Sequence, residues 1–326
     1  MAAPAVSTAS QTPAEEPISI PSHLDGVAYL YGHPLLNSLS PPLHQTVYNV
    51  LGLNWTQIPL SSVTGTSATY PPPYTRSPPI EKFLASIRSN STGACNTIFP
   101  RTNPETGARE YVGTNTDCDG IREALVKNAP DASRFRGRPA LIIGGGGTAR
   151  TAVYVMRRWL GSSKIYIVNR DAAEVEAIMN EDRQRNPDPN AQAPLIPVSD
   201  PEEAARLESP AAIVSGIPNY PPKTPEELRS RAVIQAFLGT AADAPKQQGV
   251  ILEMCYHPVP WTEIAQLAST GGWKVILGSE ALIWQGLEQA RLWTGQDVVG
   301  TPGLVQQVKD LVDKTVAERA ANKSSL

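Results

Sequence analysis

The stretch LIIGGGGTAR, residues 141–150, joins an apolar run to four consecutive glycines. Gly144, Gly146 and Ala149 match the G-x-G-x-x-G/A spacing, between a strand-like and a helix-like pattern, which is the context that this motif requires. Bare backbone lets N–H groups approach a pyrophosphate, and the start of a helix favours its negative charge. The alternative is a plain strand-to-helix turn. The residues predicted to bind a dinucleotide cofactor are Gly144, Gly145, Gly146, Gly147 and Thr148.

Two further residues that could bind the cofactor follow the next predicted strand, KIYIV. NAD-binding folds usually place an acidic side chain near this point, where it bonds to the ribose hydroxyls. Here Asn169 and Arg170 occupy the position, and a guanidinium suits a 2′-phosphate. We therefore predict that Asn169 and Arg170 bind NADP, with NAD as the alternative cofactor. Other interpretations are a solvated charge for Arg170 and a capping box for Asp171-x-x-Glu174.

Strand-like and helix-like patterns alternate along the chain, which predicts an α/β fold with parallel sheets. Besides the strands that flank the glycine turn, strands are predicted at VAYLYGHPL, NWTQIPLSS, GACNTIFP, YVGTNTD, PAAIVSG and GVILEMCY. Helices are predicted from Ser40, which can cap, and at DGIREALVKNA, WTEIAQLAST, GSEALIWQGLEQARLWTG and residues 304–316. Residues 61–79 are predicted to form a surface loop, PIEKFLASIRSN a short helix, and EDRQRNPDPNAQAP a polar loop.

Composition excludes several classes of partner. The net charge of −3 and the absence of a basic patch argue against nucleic acid. The longest apolar runs are far shorter than a bilayer span, and the first twenty residues lack the features of a signal peptide, so we expect a cytoplasmic protein. Cys95, Cys118 and Cys255 form no CxxC pair, so neither a metal site nor a disulfide framework is predicted.

Three further stretches accompany the glycine turn and VNR along the chain: GHPLLNSLSPPLH, GACNTIF with GTNTDCDG, and CYHPVPWTE with GSEALIWQG. With them, residues 28–295 resemble the shikimate/quinate dehydrogenase family. The Pro-rich insert and the long C-terminal helix resemble its fungal members. The resemblance implies NADP-dependent hydride transfer between the nicotinamide and a hydroxyl-bearing ring carbon of shikimate or quinate, in the shikimate pathway. The residues do not decide between the two substrates.

The fold class implied is α/β, with a Rossmann-type NAD(P)-binding domain and a smaller α/β substrate-binding domain across a cleft. We place the Rossmann domain at residues 119–278 and the substrate-binding domain at residues 25–118. Helices within residues 279–322 are expected to return and complete the substrate-binding domain. Residues 1–24 are predicted to be a disordered tail.

The resemblance also implies roles for single residues. Ser38 and Ser40 would bind the substrate carboxylate, although Ser40 alternatively only caps a helix. Asn96 would hold ring hydroxyls, and its alternative is an amide that ties down a turn. Asp117 would bind the reacting hydroxyl and help in proton transfer, and its alternative is a helix cap.

Four more residues are carried over in the same way. Tyr256 and Gln285 would close the substrate pocket, with a core tyrosine and an exposed helical glutamine as the alternatives. Met254 and Gly278 would lie against the nicotinamide, with a core-filling methionine and a simple turn as the alternatives.

One expected segment is absent from the sequence. Members of the family carry a stretch resembling N-V-T-x-P-x-K before the A-x-N-T strand, and its lysine is the general acid/base. Here Ser89-Asn90 runs directly into Ser91-Thr92-Gly93. Lys82 lies on a predicted helix with its apolar face buried, so it is expected to point to solvent and not to replace that lysine.

Three interpretations of this absence stay open. The chain is a dehydrogenase whose internal segment is missing from the sequence as written. Alternatively, it is a non-catalytic sensor or regulator that binds shikimate-pathway compounds. The third interpretation keeps a Rossmann oxidoreductase but assigns it another substrate class.

Overall fold

The structure is a computed structural model that describes residues 21–32, 35, 38–61, 95–186, 192–239, 249–256 and 259–323. The predicted Pro-rich loop, the helix that carries Lys82 and the junction between Asn90 and Ser91 lie outside these ranges. The last four residues of the predicted disordered tail form a turn, in which the N–H of Leu24 donates to the carbonyl of Pro21 over 3.0 Å. Hydrogen-bonded structure therefore begins earlier than predicted.

The N-terminal part contains two small sheets and one helix. Strands β1 (Gly26–Gly32) and β2 (Trp55–Ser61) pair in parallel, whereas β3 (Thr97–Thr102) and β4 (Arg109–Thr114) pair antiparallel. Helix α1 spans Ser40–Val50 and buries the apolar side chains of Leu43 and Val47, one turn apart.

The second half of the chain is organised around a six-stranded sheet. Its strands are β5 (Ala140–Ile143), β6 (Ile165–Val168), β7 (Leu195–Pro197), β8 (Ala212–Ser215), β9 (Val250–Glu253) and β10 (Lys274–Leu277). The order is β10-β9-β8-β5-β6-β7, and all neighbours are parallel. Counted from β5 this is 3-2-1-4-5-6, the order of doubly wound dinucleotide-binding sheets. The predicted α/β fold with a Rossmann-type domain is confirmed.

The sequence analysis missed the two edge strands, β7 and β10. The central strands are continuous apolar runs buried on both faces, which makes them visible in the sequence. Pro197 at the end of β7 and Lys274 at the start of β10 are exposed, and each strand has one fully buried residue. A half-exposed edge strand of three or four residues has no comparable sequence signal.

Helices cover both faces of the sheet. The helices that follow β4 are α2 (Asp117–Asn128), α3 (Gly147–Tyr154, continued by a π-helical turn at Val155–Trp159), α4 (Ala172–Arg185), α5 (Pro201–Arg206), α6 (Pro225–Leu238), α7 (Glu263–Thr270), α8 (Gly278–Thr294) and α9 (Leu304–Lys323). Helices α2, α3 and α4 bury apolar side chains against one face of the sheet, and α6 and α7 against the other.

The predicted polar loop from Glu181 is wrong in its first five residues, because α4 continues to Arg185. Two ion pairs hold this last part of the helix to the preceding elements. Arg150 contacts Glu181 over 2.6 Å, and Arg157 contacts Asp182 over 2.5 Å.

A third apolar cluster joins α1 to the two C-terminal helices. Leu43 and Val47 of α1 pack in it with Leu287 of α8 and with Val308 and Val312 of α9. The last helices therefore return to the N-terminal part of the chain. Within the described ranges, none of the helices combines the length and the apolar character needed to span a bilayer.

Candidate active site

The glycine turn lies at the carboxyl edge of the sheet, where the strand order reverses between β5 and β8. Gly144 follows β5 and has a φ of 127°, in the region that favours glycine. A Cβ atom on Gly144 would lie 3.4 Å from the carbonyl oxygen of Gly216, which follows β8. Doubly wound sheets bind their ligands at such a switch point.

Two glycines of the turn face open space. A Cβ atom on Gly146 or Gly147 would have no heavy atom of the described structure within 4 Å. Helix α3 begins at Gly147, and no side chain caps its first N–H groups. Packing therefore does not explain glycine here, whereas a bound pyrophosphate would need both the space and the N–H groups.

The two predicted cofactor residues after β6 contact carboxylates. The amide of Asn169 donates to Glu174 over 2.7 Å, and the guanidinium of Arg170 forms an ion pair with Glu227 at the start of α6. Asp171 caps α4 by accepting from the N–H of Ala173 over 2.8 Å. Because Glu174 bonds to Asn169, only the Asp171 half of the predicted capping box is formed.

Asn96 is held by hydrogen bonds at its side-chain oxygen. That oxygen accepts from the hydroxyl of Thr97 over 2.7 Å and from the backbone N–H of Thr116 over 2.9 Å. These two bonds hold the amide in place and fit the alternative of an amide that ties down a turn. Asn96 also lies close enough to Asp117 to lower the pKa of that carboxyl group.

Asp117 is the first residue of α2 and does not cap it. Thr116 holds the N-cap position, and neither residue bonds to the helix start through its side chain, so the cap alternative for Asp117 is wrong. Burial raises the pKa of Asp117, and the hydrogen bond from Asn96 opposes the rise. A carboxyl group that ionises closer to neutral pH is suited to proton transfer.

The start of α1 positions the two candidate serines. The backbone N–H of Ser40 donates to the hydroxyl oxygen of Ser38 over 3.2 Å. The buried hydroxyl of Ser40 donates to Gln57 of β2 over 2.9 Å, and Leu39 holds the N-cap position. The predicted cap at Ser40 is therefore wrong, and its hydroxyl proton must leave Gln57 before it can bind a substrate carboxylate.

Gln285 contacts Thr116, the neighbour of Asp117, and Tyr256 lies close enough to Asp117 to be affected by its charge. The hydroxyl of Thr116 donates to Gln285 over 3.3 Å, and Gln285 is buried, so its alternative as an exposed glutamine is wrong. Tyr256 packs against the third apolar cluster. Burial raises the pKa of the Tyr256 hydroxyl, and the nearby Asp117 adds to the rise.

Met254 and Gly278 meet at the end of β9. A Cβ atom on Gly278 would lie 2.3 Å from the carbonyl oxygen of Met254, so α8 can start this close only with glycine. The structure thus brings Met254 and Gly278 together, and it links Asn96 to Asp117 and Gln285.

The sequence analysis missed a buried pair that supports this network. Gln289 donates to the hydroxyl of Thr97 over 2.9 Å, and its oxygen lies 3.0 Å from Nε2 of His44. Burial lowers the pKa of His44 to about 4, so the neutral ring donates from Nε2 to Gln289. Two glutamines four residues apart on an apolar helix, Gln285 and Gln289, were the available signal.

Replacing Gln289 with leucine should lower the free energy of unfolding by about 2–3 kcal/mol, because the buried Nε2–H donor of His44 loses its acceptor and the buried Thr97 hydroxyl loses its donor. Urea unfolding measures this change. Gln306→Leu on the exposed side of α9 is the matched control and should change stability by less than about 0.5 kcal/mol. Equal effects of the two substitutions would contradict a buried network.

Glu253 is a second missed residue and ends β9 with its side chain 1% exposed. Burial raises its pKa to about 7, although Arg231 of α6 partly offsets the effect. One carboxylate oxygen accepts from the N–H of Cys255 over 3.1 Å. Glu253 lies on the sheet face that α6 and α7 cover, whereas Met254 packs on the other face.

A raised folded-state pKa means that stability falls as pH rises. The unfolded carboxyl ionises near pH 4.5 and the folded one near pH 7, so Glu253 should reduce the free energy of unfolding across that window. The reduction should total about 3 kcal/mol. Urea unfolding from pH 4.5 to 8 should show a smaller fall in Glu253→Gln than in the parent chain, and an unchanged fall in the exposed control Glu226→Gln. Identical pH dependence in all three proteins would contradict a protonated, buried Glu253.

Known proteins share this fold. They define the class of the chain as a nicotinamide-dependent oxidoreductase with a Rossmann-type domain. The chain is 62% identical, over 340 aligned residues, to the quinate dehydrogenase of Emericella nidulans, covering 95% of this chain and 100% of that protein. The chain belongs to the shikimate/quinate dehydrogenase family. No protein-family model matches it.

Two solved structures support the same assignment. The dehydroquinate dehydratase and shikimate dehydrogenase of S. pombe AroM aligns with a TM-score of 0.64 and 30% identity over 87% of this chain and 52% of that one. The shikimate 5-dehydrogenase of Thermus thermophilus, solved with NADP(H) and shikimate, aligns with a TM-score of 0.57 and 25% identity. That alignment covers 87% of this chain and 99% of the other.

Proposed function

We propose that this chain transfers hydride between a nicotinamide dinucleotide and a cyclohexane-type hydroxy acid, quinate in preference to shikimate. The placement of Asp117 carries the proposal, because its carboxyl group is buried, has a raised pKa and lies beside the fixed amide of Asn96. The 62% identity to a quinate dehydrogenase over its full length supports quinate as the substrate.

The described residues supply distinct parts of the reaction. Asp117 binds the reacting hydroxyl and helps in its proton transfer, and Asn96 holds ring hydroxyls. Ser38 and Ser40 donate to the substrate carboxylate once Ser40 has left Gln57. When bound, a nicotinamide dinucleotide supplies the hydride acceptor.

The remaining residues shape the two halves of the site. Tyr256 and Gln285 close the substrate pocket, and Met254 and Gly278 lie against the nicotinamide. Gly144, Gly145, Gly146, Gly147 and Thr148 hold the pyrophosphate. Residues 25–118 with 279–322 form the substrate-binding domain, and residues 119–278 form the Rossmann domain.

The identity of the nucleotide depends on the turn after β6. The guanidinium of Arg170 favours NADP, as the sequence predicts, whereas its ion pair with Glu227 and the carboxylate of Glu174 beside Asn169 favour NAD. We propose that both nucleotides bind, because the turn presents both the cation of Arg170 and the carboxylates of Glu227 and Glu174.

The sequence as written lacks the catalytic lysine of this family. The alignment with the Emericella nidulans protein supports a missing segment, because it runs over 340 positions whereas 95% of this chain is only about 310 residues. About thirty positions of that alignment therefore have no residue from this chain. The lysine stretch lies among them in the proposal, between Asn90 and Ser91.

The absence of the lysine favours a second candidate function. A chain that binds quinate-type compounds without turning them over would act as a sensor or regulator. The retained Asn96, Asp117 and Gln285 would then serve binding alone.

The deciding experiment measures the reduction of NAD and NADP by the purified chain with quinate and with shikimate, together with binding of each compound. Turnover that is faster with quinate supports the proposal. Binding without turnover supports the regulator, and nucleotide binding with no response to either acid supports a different substrate class.

A further inference from the structure

Arg170 occupies the position at which a 2′-phosphate would be recognised, and it already has an anionic partner. Its side chain is 64% exposed and forms an ion pair with Oε1 of Glu227. Glu227 stands in the first turn of α6, on a different element from Arg170, so the ion pair links the β6–α4 turn to α6.

Glu227 is fixed by contacts of its own. Its other carboxylate oxygen accepts from the backbone N–H of Lys223 over 2.8 Å and from that of Thr224 over 3.1 Å. The hydroxyl of Thr224 in turn accepts from the N–H of Glu227, which completes a capping box. These backbone N–H groups, that of Lys223 first, lower the pKa of Glu227. Glu227 is therefore a fixed anion across neutral pH. The ion pair forms when the long side chain of Arg170 turns toward it.

A cavity of about 580 Å³ lies between the two elements that the ion pair connects. Apolar residues of β6, α4 and β7 form part of its walls, and polar or charged side chains form the rest, among them Asn169, Arg170, Ser199, Glu226, Arg229 and Ser230. The cavity adjoins the turn that follows β6, where a dinucleotide on the Gly144–Thr148 turn would place its adenosine ribose.

We propose that Glu227 is a cofactor-specificity residue that limits the preference for NADP. The inference rests on the proposed nucleotide site. The 2′-phosphate of NADP must draw Arg170 away from Glu227, and it then lies near a carboxylate that has lost its counter-ion. NAD presents a neutral 2′-hydroxyl and meets neither obstacle. Glu227 thus opposes the selectivity that Arg170 alone would provide.

The competing explanation is that the ion pair only stabilises the packing of α6 on the sheet. Exposed ion pairs contribute little to stability, and the capping box already fixes the helix start without Arg170. A stabilising role would leave the relative affinity for the two nucleotides unchanged when Glu227 is neutralised.

Glu227→Gln separates the two explanations, because glutamine keeps the capping box and removes only the charge. Calorimetric titration of the full chain with NAD and with NADP gives both dissociation constants without any need for turnover. We expect the ratio of the NADP to the NAD constant to fall by about five- to tenfold in Glu227→Gln. The constant for NAD should stay within about twofold of the parent value.

Two further variants complete the test. Glu318→Gln, on the exposed side of α9 and outside the cavity, should leave the ratio within about twofold of the parent value. The double variant Arg170→Gln/Glu227→Gln should not show the tighter NADP binding expected of Glu227→Gln, because that binding depends on the guanidinium that Glu227 no longer holds. If the folded Glu227→Gln protein binds both nucleotides with an unchanged ratio of dissociation constants, the inference is wrong. The proposed function would not be affected by that result. If the folded parent chain binds neither nucleotide, the proposed function fails and the inference fails with it.

Discussion

Inserting the missing lysine segment between Asn90 and Ser91 is expected to raise the rate of quinate-dependent nucleotide reduction by about 10²–10⁴-fold. The corresponding segment of the Emericella nidulans relative is a suitable donor, because that protein is 62% identical to this chain. The reason is chemical: oxidation of an alcohol needs a proton to leave as hydride departs, and the segment supplies the positioned base. Initial rates of NADH and NADPH formation measure the effect.

The matched control carries the same insertion with its lysine replaced by methionine. If the segment acts through the lysine, this control should restore a stable fold and lack most of the activity. Equal activity of the two insertions would show that the segment only repairs structure. A folded chain with the intact segment that stays inert toward both quinate and shikimate would contradict the proposed substrate.

Replacing Asp117 with asparagine in the chain that carries the lysine segment should lower kcat/KM by about 10²–10⁴-fold. Asparagine is close to the same size and keeps the backbone bond to Asn115, but it cannot accept a proton. Because burial raises the pKa of Asp117, the rate of alcohol oxidation should rise with pH as that carboxyl ionises. This rise should be absent from the Asp117→Asn profile.

Asp119 provides the control for Asp117. It lies on the same helix, and burial first, then nearby Glu288, raises its pKa to about 6. Its contact is with Arg122 over 3.4 Å, away from Asn96. Asp119→Asn should therefore stay within a fewfold of the parent rate and keep the pH profile. If Asp119→Asn and Asp117→Asn lose activity equally, the loss reflects the start of α2 and not proton transfer.

The central strands and the glycine turn could be predicted from sequence because each signal is local. Strands β5, β6, β8 and β9 are short apolar runs buried on both faces, and a G-x-G-x-x-A turn follows the first of them. The pattern of residues 304–316 likewise predicted a helix, and α9 forms there. Local pattern and tertiary packing agree in these elements.

The polar contacts could not be predicted because they depend on which elements meet. Ser40 has the residue type of a helix cap, yet its hydroxyl donates a hydrogen bond to Gln57 of β2 over 2.9 Å. Arg170 has the type of a phosphate ligand, and Glu227 stands 57 residues further along the chain. His44 and Gln289 are 245 residues apart in sequence and are joined only by the return of α8 to α1.

Titration of the folded chain with NAD and NADP, beside the variant Gly146→Ala, tests the central claim most directly. A Cβ atom at Gly146 meets no atom of the described part of the chain within 4 Å, so alanine should leave the melting temperature nearly unchanged while it blocks the pyrophosphate. The account predicts saturable binding to the parent chain and at least about a tenfold weaker affinity in Gly146→Ala. Absence of binding to the parent chain at millimolar nucleotide, or equal affinity in the two proteins, would contradict it.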